Sequence, residues 1–221
     1  MLKRAILGVA TMLAQTATFH DLPKEGLTFD QTGPLSANLT NHTGLPVLGF
    51  EVRWTWEGEA AEGSPHGFNR GYINYDEIQR PIIAAKGSFA ISADDFPPNF
   101  KLGPGAAKVE ITTAIFADGR VVGVGNGHPR SLRGELESKW KAERDVFRRA
   151  ADLLRNQGAS AVVAYAKDKL LNIEKEPPPY RIYVRVLVNR IVSVFEYGGE
   201  NDVVKFVLAR EAALSNIPEL H

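Results

Sequence analysis

Residues 48–58 read LGFEVRWTWEG. In an extended strand successive side chains point to opposite faces. One face then carries Leu48, Phe50, Val52, Trp54 and Trp56, and the other carries Gly49, Glu51, Arg53, Thr55 and Glu57. A helix would smear both sets round its circumference, so this alternation specifies a strand. The apolar face, with its two tryptophans, needs a second layer to cover it. Short strands on either side in the sequence supply one.

Upstream, Leu27–Thr32 and Leu35–Leu39 are candidate strands parted by Gly33-Pro34. Asn41–Gly44 reads as a loop, and Pro46 leads into the main strand. Downstream, residues 59–67 are rich in Gly, Ala, Ser and Glu and read as a loop, after which Phe68–Tyr75 resumes as a strand. Pro81 interrupts the pattern, Ser88–Ser92 alternates again, and Pro97-Pro98 with Gly103-Pro104-Gly105 brackets a further loop. Lys108–Phe116 places Val109, Ile111, Thr113 and Ile115 on one face. Arg120–Val124 returns across Asp118-Gly119, a pair suited to the positive φ of a tight hairpin turn. Five to seven strands with turn signals at short intervals predict a two-sheet antiparallel β-sandwich over residues 26–125. This patterning resembles immunoglobulin-like and fibronectin type III-like modules at the level of fold. The chain has no cysteine, so the Cys–Trp–Cys signature of antibody domains is missing and the resemblance implies no function.

Beyond Gly123–Gly127 the period changes. Leu132, Leu136, Trp140, Phe147, Ala151 and Leu154 recur at near-helical intervals, and Gly158 closes that helix. Ser160 is placed to cap the next helix, which runs to about Ile173 before Pro177-Pro178-Pro179. Residues 180–197 alternate like a strand at Ile182, Val184, Val186 and Val188. Yet Tyr180, Val184, Leu187, Val188, Ile191, Val194 and Phe195 fit a helix, and eighteen residues suit a helix better than a strand. Gly198-Gly199 ends it, and Val203–Ser215 reads as a last helix before Pro218. The fold class expected is α+β: an immunoglobulin/fibronectin-III-like sandwich followed by about four helices over residues 129–218.

The N-terminus carries Lys3 and Arg4 ahead of a ten-residue apolar run, Ala5–Ala14, the order of an export signal over residues 1–17. Cleavage after Ala17 leaves bulky Gln15 three places back, while cleavage after Thr16 uses Ala14 but a poorer final residue. The expected location is therefore periplasmic or extracellular. The other apolar stretch, Ile182–Phe195, contains Arg185, Asn189 and Arg190, which argues against a membrane span.

Composition is ordinary for a folded protein, with 44% apolar and 24% charged residues and a formal net charge of zero. Residues 18–128 hold 13 acidic and 8 basic side chains (net −5), and residues 129–221 hold 13 and 16 (net +3). Opposite signs favour docking of the halves, and neither value suits nucleic-acid binding. The lack of cysteine removes disulfides, thiolate nucleophiles and cysteine-ligated zinc together.

Several groups invite a functional reading. Trp54 and Trp56 with Tyr72 and Tyr75 would make an aromatic platform for a glycan or peptide, or else part of the sandwich core. The strand parity places both tryptophans in the core, with Trp56, Tyr72 and Tyr75 the candidate binding residues nearest the loops. Residues 123–127 (GVGNG) lack the Lys-Ser/Thr of a phosphate loop. His20, His42, His66, His128 and His221 show no i, i+4 metal spacing, and no cofactor is implied. Asp94, Asp95 and Asp118 are the carboxylates available for acid–base work, though each has a simpler turn or strand-end role. Asn38-Leu39-Thr40 and Asn41-His42-Thr43 are glycosylation triplets of a kind common by chance. Arg144, Arg148, Arg149 and Arg155, among Glu135, Glu137, Glu143 and Asp152, read as a solvated, ion-paired helix face. The reading that follows is an exported, non-catalytic binding or scaffolding module acting through protein or glycan contacts, with homo-oligomerisation through the helices as a further option. Its rival is a hydrolase of an envelope polymer or polysaccharide, with two carboxylates, or one and His128, meeting where the halves join.

Overall fold

The computed structural model describes residues 16–56, 67–74, 80–96, 106–123 and 132–221. Within them the strands are β1 (Ala17–His20), β2 (Leu27–Gly33), β3 (Ser36–Asn41), β4 (Val47–Trp56), β5 (Gly67–Ile73), β6 (Ser88–Ser92), β7 (Ala107–Phe116) and β8 (Val121–Gly123). The helices are α1 (Leu132–Gln157), α2 (Ala159–Leu171) and α3 (Tyr180–Ala213). The chain is α+β, with two sheets stacked as a sandwich ahead of a helical layer.

The larger sheet runs β5-β4-β7, and the far edge of β7 is shared by β1 and β8. The smaller sheet runs β2-β3-β6, antiparallel throughout. Strand β1 falls outside the range expected for the sandwich, and it pairs parallel with β7, Ala17 against Ala107 and His20 against Glu110. The sandwich is therefore not wholly antiparallel. Between the sheets lie Leu27, Leu39, Phe50, Val52, Trp54, Ile91, Val109, Ile111, Ala114 and Phe116, all buried.

Two β-bulges correct the face assignments read from alternation. A bulge inserts one residue on one strand, so the parity of every residue beyond it reverses. In β4 the register steps from Val47 to Gly49 while β7 steps once, from Phe116 to Ile115. Leu48 is the extra residue and joins the helical core rather than the sandwich core with Phe50 and Trp54. In β7 the extra residue is Thr112, whose hydroxyl donates to Glu51 Oε1 at 2.7 Å. Beyond it Ala114 and Phe116 face the sandwich, while Ile115 turns out to the helices.

Leu48, Ile73 and Ile115 thus give the outer face of the larger sheet an apolar patch, on which Leu132 and Leu136 of α1 rest. Gly49 permits the approach, since a Cβ there would lie 2.7 Å from Ile73 Cγ2 and 3.4 Å from Leu136 Cδ1. Apolar contact, rather than complementary charge, carries the described part of this seam. Glu135 even faces Glu51, whose charge adds to burial in raising the Glu135 pKa.

Among the described residues there are three helices, the third of them two segments joined at a kink. Residues 180–197 are helical, but the chain does not stop at Gly198-Gly199. Gly199 takes φ 74°, ψ −167°, a single non-helical residue at which α3 kinks and then continues. A positive φ of this kind suits glycine, so the pair breaks the axis without needing a loop. Ser160 lies inside α2, whose cap is Gly158, and its hydroxyl donates to Glu200 Oε1 at 2.5 Å, tying α2 to α3. After α3 the chain returns to the sandwich. His221 N–H donates to Gly119 O and Val121 N–H donates to His221 O, both at 3.0 Å.

Candidate functional site

The aromatic residues form a cluster inside the sandwich rather than a flat platform. Trp54 is fully buried and Trp56 is 8% exposed. The Phe96 ring stands edge-on to Trp54, Trp56 and Phe68, with centroids 5.0, 6.1 and 5.1 Å away. Tyr72 stacks on Phe50 at 4.8 Å, and its hydroxyl donates to Asp95 Oδ2 at 3.0 Å. Burial, with the Asp95 charge and hydrogen bond, holds the Tyr72 phenol far above its usual pKa. Trp56 therefore offers a ligand little surface, and Tyr72 is committed to bracing the sheet. Tyr75 lies outside the described residues.

The carboxylates are likewise engaged locally. Asp95 also accepts from the Ser92 backbone N–H, Asp94 accepts from the Ser92 hydroxyl, and Asp118 accepts from the Arg120 N–H within its turn. His66 and His128 lie outside the described residues, His42 meets the Thr28 hydroxyl at 2.8 Å, and His20 and His221 are exposed. Among the described residues no three His, Asp or Glu side chains gather as a metal site. No described helix is long and apolar enough to cross a membrane.

Asn41 is fully buried. Its amide donates to Leu45 O at 2.8 Å and Ala84 O at 3.1 Å, and its carbonyl accepts from the Thr43 N–H and hydroxyl at 3.0 and 2.7 Å. An amide so occupied holds the 42–46 loop and has no room for a glycan. Asn41→Ala is expected to cost about 2 kcal/mol, because it orphans buried groups on both sides. Urea denaturation of the variant measures it.

The arginine-rich face of α1 is part solvated and part not. Lys141–Asp145 and Arg133–Glu137 are exposed i, i+4 pairs, and Arg155 joins Asp152 and Glu211. Arg144 and Arg148 line a cleft of about 620 Å³ against the returning segment at Leu214 and Ile217. Glu143, however, is not on a solvated face. It is 1% exposed, and Lys139, one turn earlier, is 3% exposed. Lys139 Nζ donates to Asn74 O at 2.7 Å and so reaches the end of β5. Glu143 Oε2 has no hydrogen-bond partner among the described residues. Burial pushes the Glu143 carboxyl up to about 7, against the opposing charges of Lys139, Arg210 and Arg144.

Beside this pair, between α1 and α3, is a cavity of about 40 Å³ lined by Ile182, Tyr183, Val186 and Leu187. It has room for a few waters. Ile182 and Val186 form its lip and continue onto the outer face of α3, where they are 59% and 46% exposed. Farther along, Tyr197 is 92% exposed. Asn189 and Ser193, on the same helical face, are also exposed.

Alternation and spacing did not single out this surface. Glu143 does stand three residues after Trp140 and four before Phe147, on the apolar stripe itself, which was the available signal of its burial. The outer face of α3 had no such signal, because Ile182 and Val186 look like core residues until neighbouring helices are placed. No protein-family model matches the chain, and no curated protein or solved structure is significantly similar to it.

Proposed function

We propose that this is an exported, non-catalytic binding or scaffolding protein. An immunoglobulin/fibronectin-III-like sandwich is its rigid base, and the outer face of α3 is its contact surface. The strand connections support the first part. Hairpins β2–β3, β4–β5 and β7–β8 stay within a sheet, while the links β3–β4, β5–β6 and β6–β7 cross between sheets. Such crossings belong to the Greek-key sandwiches that these modules share.

The observation that carries the second part is the outward row Ile182, Val186 and Tyr197 on one ordered helix. Large apolar side chains gathered on one surface mark interaction sites more often than lone ones do. Export rests on the N-terminal pattern. Ala17 is the first residue of β1 and is 5% exposed, and Thr16 O accepts from the Ala107 N–H at 2.7 Å, so a cut after Thr16 removes that one bond and a cut after Ala17 shortens the strand as well.

A photoreactive residue placed at position 186 tests the contact surface in the native host. A discrete protein adduct is expected there and not at exposed Lys167 on α2. Absence of any protein adduct at 186 overturns the assignment. The intact mass of the mature protein tests export, and retention of residues 1–17 defeats it.

A further inference from the structure

We infer that the partner of this face is a second copy of the chain, with α3 packed against α3 in antiparallel orientation. The inference rests on α3 being the contact surface and adds which molecule covers it. Ile182, Val186, Asn189, Ser193 and Tyr197 are separated by four, three, four and four residues, so they form one stripe along the helix. The helix up to the kink, residues 180–198, spans about 28 Å, enough for a short helix pair.

Charge sets the orientation. Arg181 and Arg185 flank the start of the stripe, and Glu196 flanks its end. Parallel packing places like charges together, whereas antiparallel packing opposes them. In a two-fold interface, if residue i meets residue j then j meets i. Setting Ile182 against Tyr197 of the second copy sets Val186 against Ser193 and places the axis between Asn189 and Arg190. On the flank of the stripe this same register brings Arg185 to Glu196 of the second copy, twice by symmetry.

The isolated chain leaves these charges unbalanced. Arg181 and Arg185 share one carboxylate, Glu174, which stands 2.7 Å from Arg185. Glu196 has no ion pair among the described residues. Near the axis, Ser193 is small, and Asn189 is the kind of polar residue that fixes register in helix pairs. Arg190 does not force two like charges together there, because its guanidinium lies 5.9 Å from the Phe206 ring, drawn back along its own chain.

The stripe is short and its centre polar, so the expected dimer is weak, with a dissociation constant in the micromolar range. Sedimentation velocity of the full chain from about 1 to about 100 μM should show reversible dimerisation. Arg185→Glu and Glu196→Arg should each weaken it about tenfold, since two attractions become repulsions, and the combined variant should restore it. The chain has no native cysteine, so Asn189→Cys should yield a disulfide-linked dimer on oxidation where Lys167→Cys does not. Far-UV circular dichroism checks that each variant is folded.

A monomer throughout the range, or a dimer that ignores both charge reversals, overturns the inference. An adduct at position 186 to a protein of different mass would then preserve the contact surface while ruling out the second copy. No adduct at all removes both.

Discussion

Glu143→Gln will stabilise the protein above neutral pH and leave its stability unchanged near pH 4.5. The carboxyl is raised from 4.5 in a freely solvated chain to about 7 in the fold, with burial the largest cause. A raised folded pKa means that ionising the group inside the protein opposes folding. None of that opposition acts below the unfolded value of 4.5; it grows as pH rises from 4.5 to 7, and is fully present above 7. About 1.4 kcal/mol per unit gives a ceiling of ~3 kcal/mol at alkaline pH. Glutamine keeps the size and the hydrogen-bonding character of the protonated acid without the charge. Urea titrations at about pH 4.5 and about pH 8 should therefore superimpose wild type and variant in the first and separate them in the second. Superposition at both would mean that the ionised carboxylate is well solvated where it sits between α1 and α3.

Trp54→Ala should produce the largest loss of stability, about 3–5 kcal/mol, of the order expected for deleting a buried tryptophan from a core. Trp54 is fully buried, cross-strand from Phe68 and Val109, with Phe19 and Phe96 standing edge-on at 5.9 and 5.0 Å. The loss should not stay in the sandwich. Leu48, Ile73 and Ile115 are sheet residues that complete the helical core, so unfolding the sheet uncovers α1. Helical circular dichroism and tryptophan fluorescence of the variant should then fall together in one denaturation transition. A helical signal that outlasts the fluorescence change would show that the helices hold without the sheet.

The uneven legibility of this chain has physical causes. The main strand could be read because its inward residues, Phe50 to Trp56, alternate without a break along β4 itself, the extra residue opposite them lying in β7. The first part of α3 could be read because its apolar positions fit a helix and its length did not suit a strand. A bulge leaves no trace in alternation: Thr112 is an unremarkable strand residue, and only pairing with β4 shows that it is one too many. Strand β1 carries no sequence signal because four residues pairing with a distant edge need no periodicity of their own. The joint at Gly199 reads as an end because a glycine pair signals a break in the axis, and its local chemistry does not say whether the helix resumes at once.

The candidate site was less legible still. Tryptophan and tyrosine drew attention to residues that serve packing, since large aromatic rings fill cores as readily as they bind ligands. Chemical type alone puts Glu143 in solvent, although its position on the stripe points inward. Exposure of Ile182 and Val186 depends on where α1 and α2 leave α3 uncovered, which is a property of assembly rather than of local sequence.

The way the first described strand and the final residues attach has a mechanical consequence. Strand β1 lies alongside β7 in the same direction, whereas the segment ending at His221 is held to the β7–β8 turn by two backbone bonds. Tension applied through the two ends would peel the latter open one bond at a time and unravel the helices behind it. The parallel ladder would meet the same load in shear, with its bonds sharing the strain at once, so the sandwich would be the last part to give way.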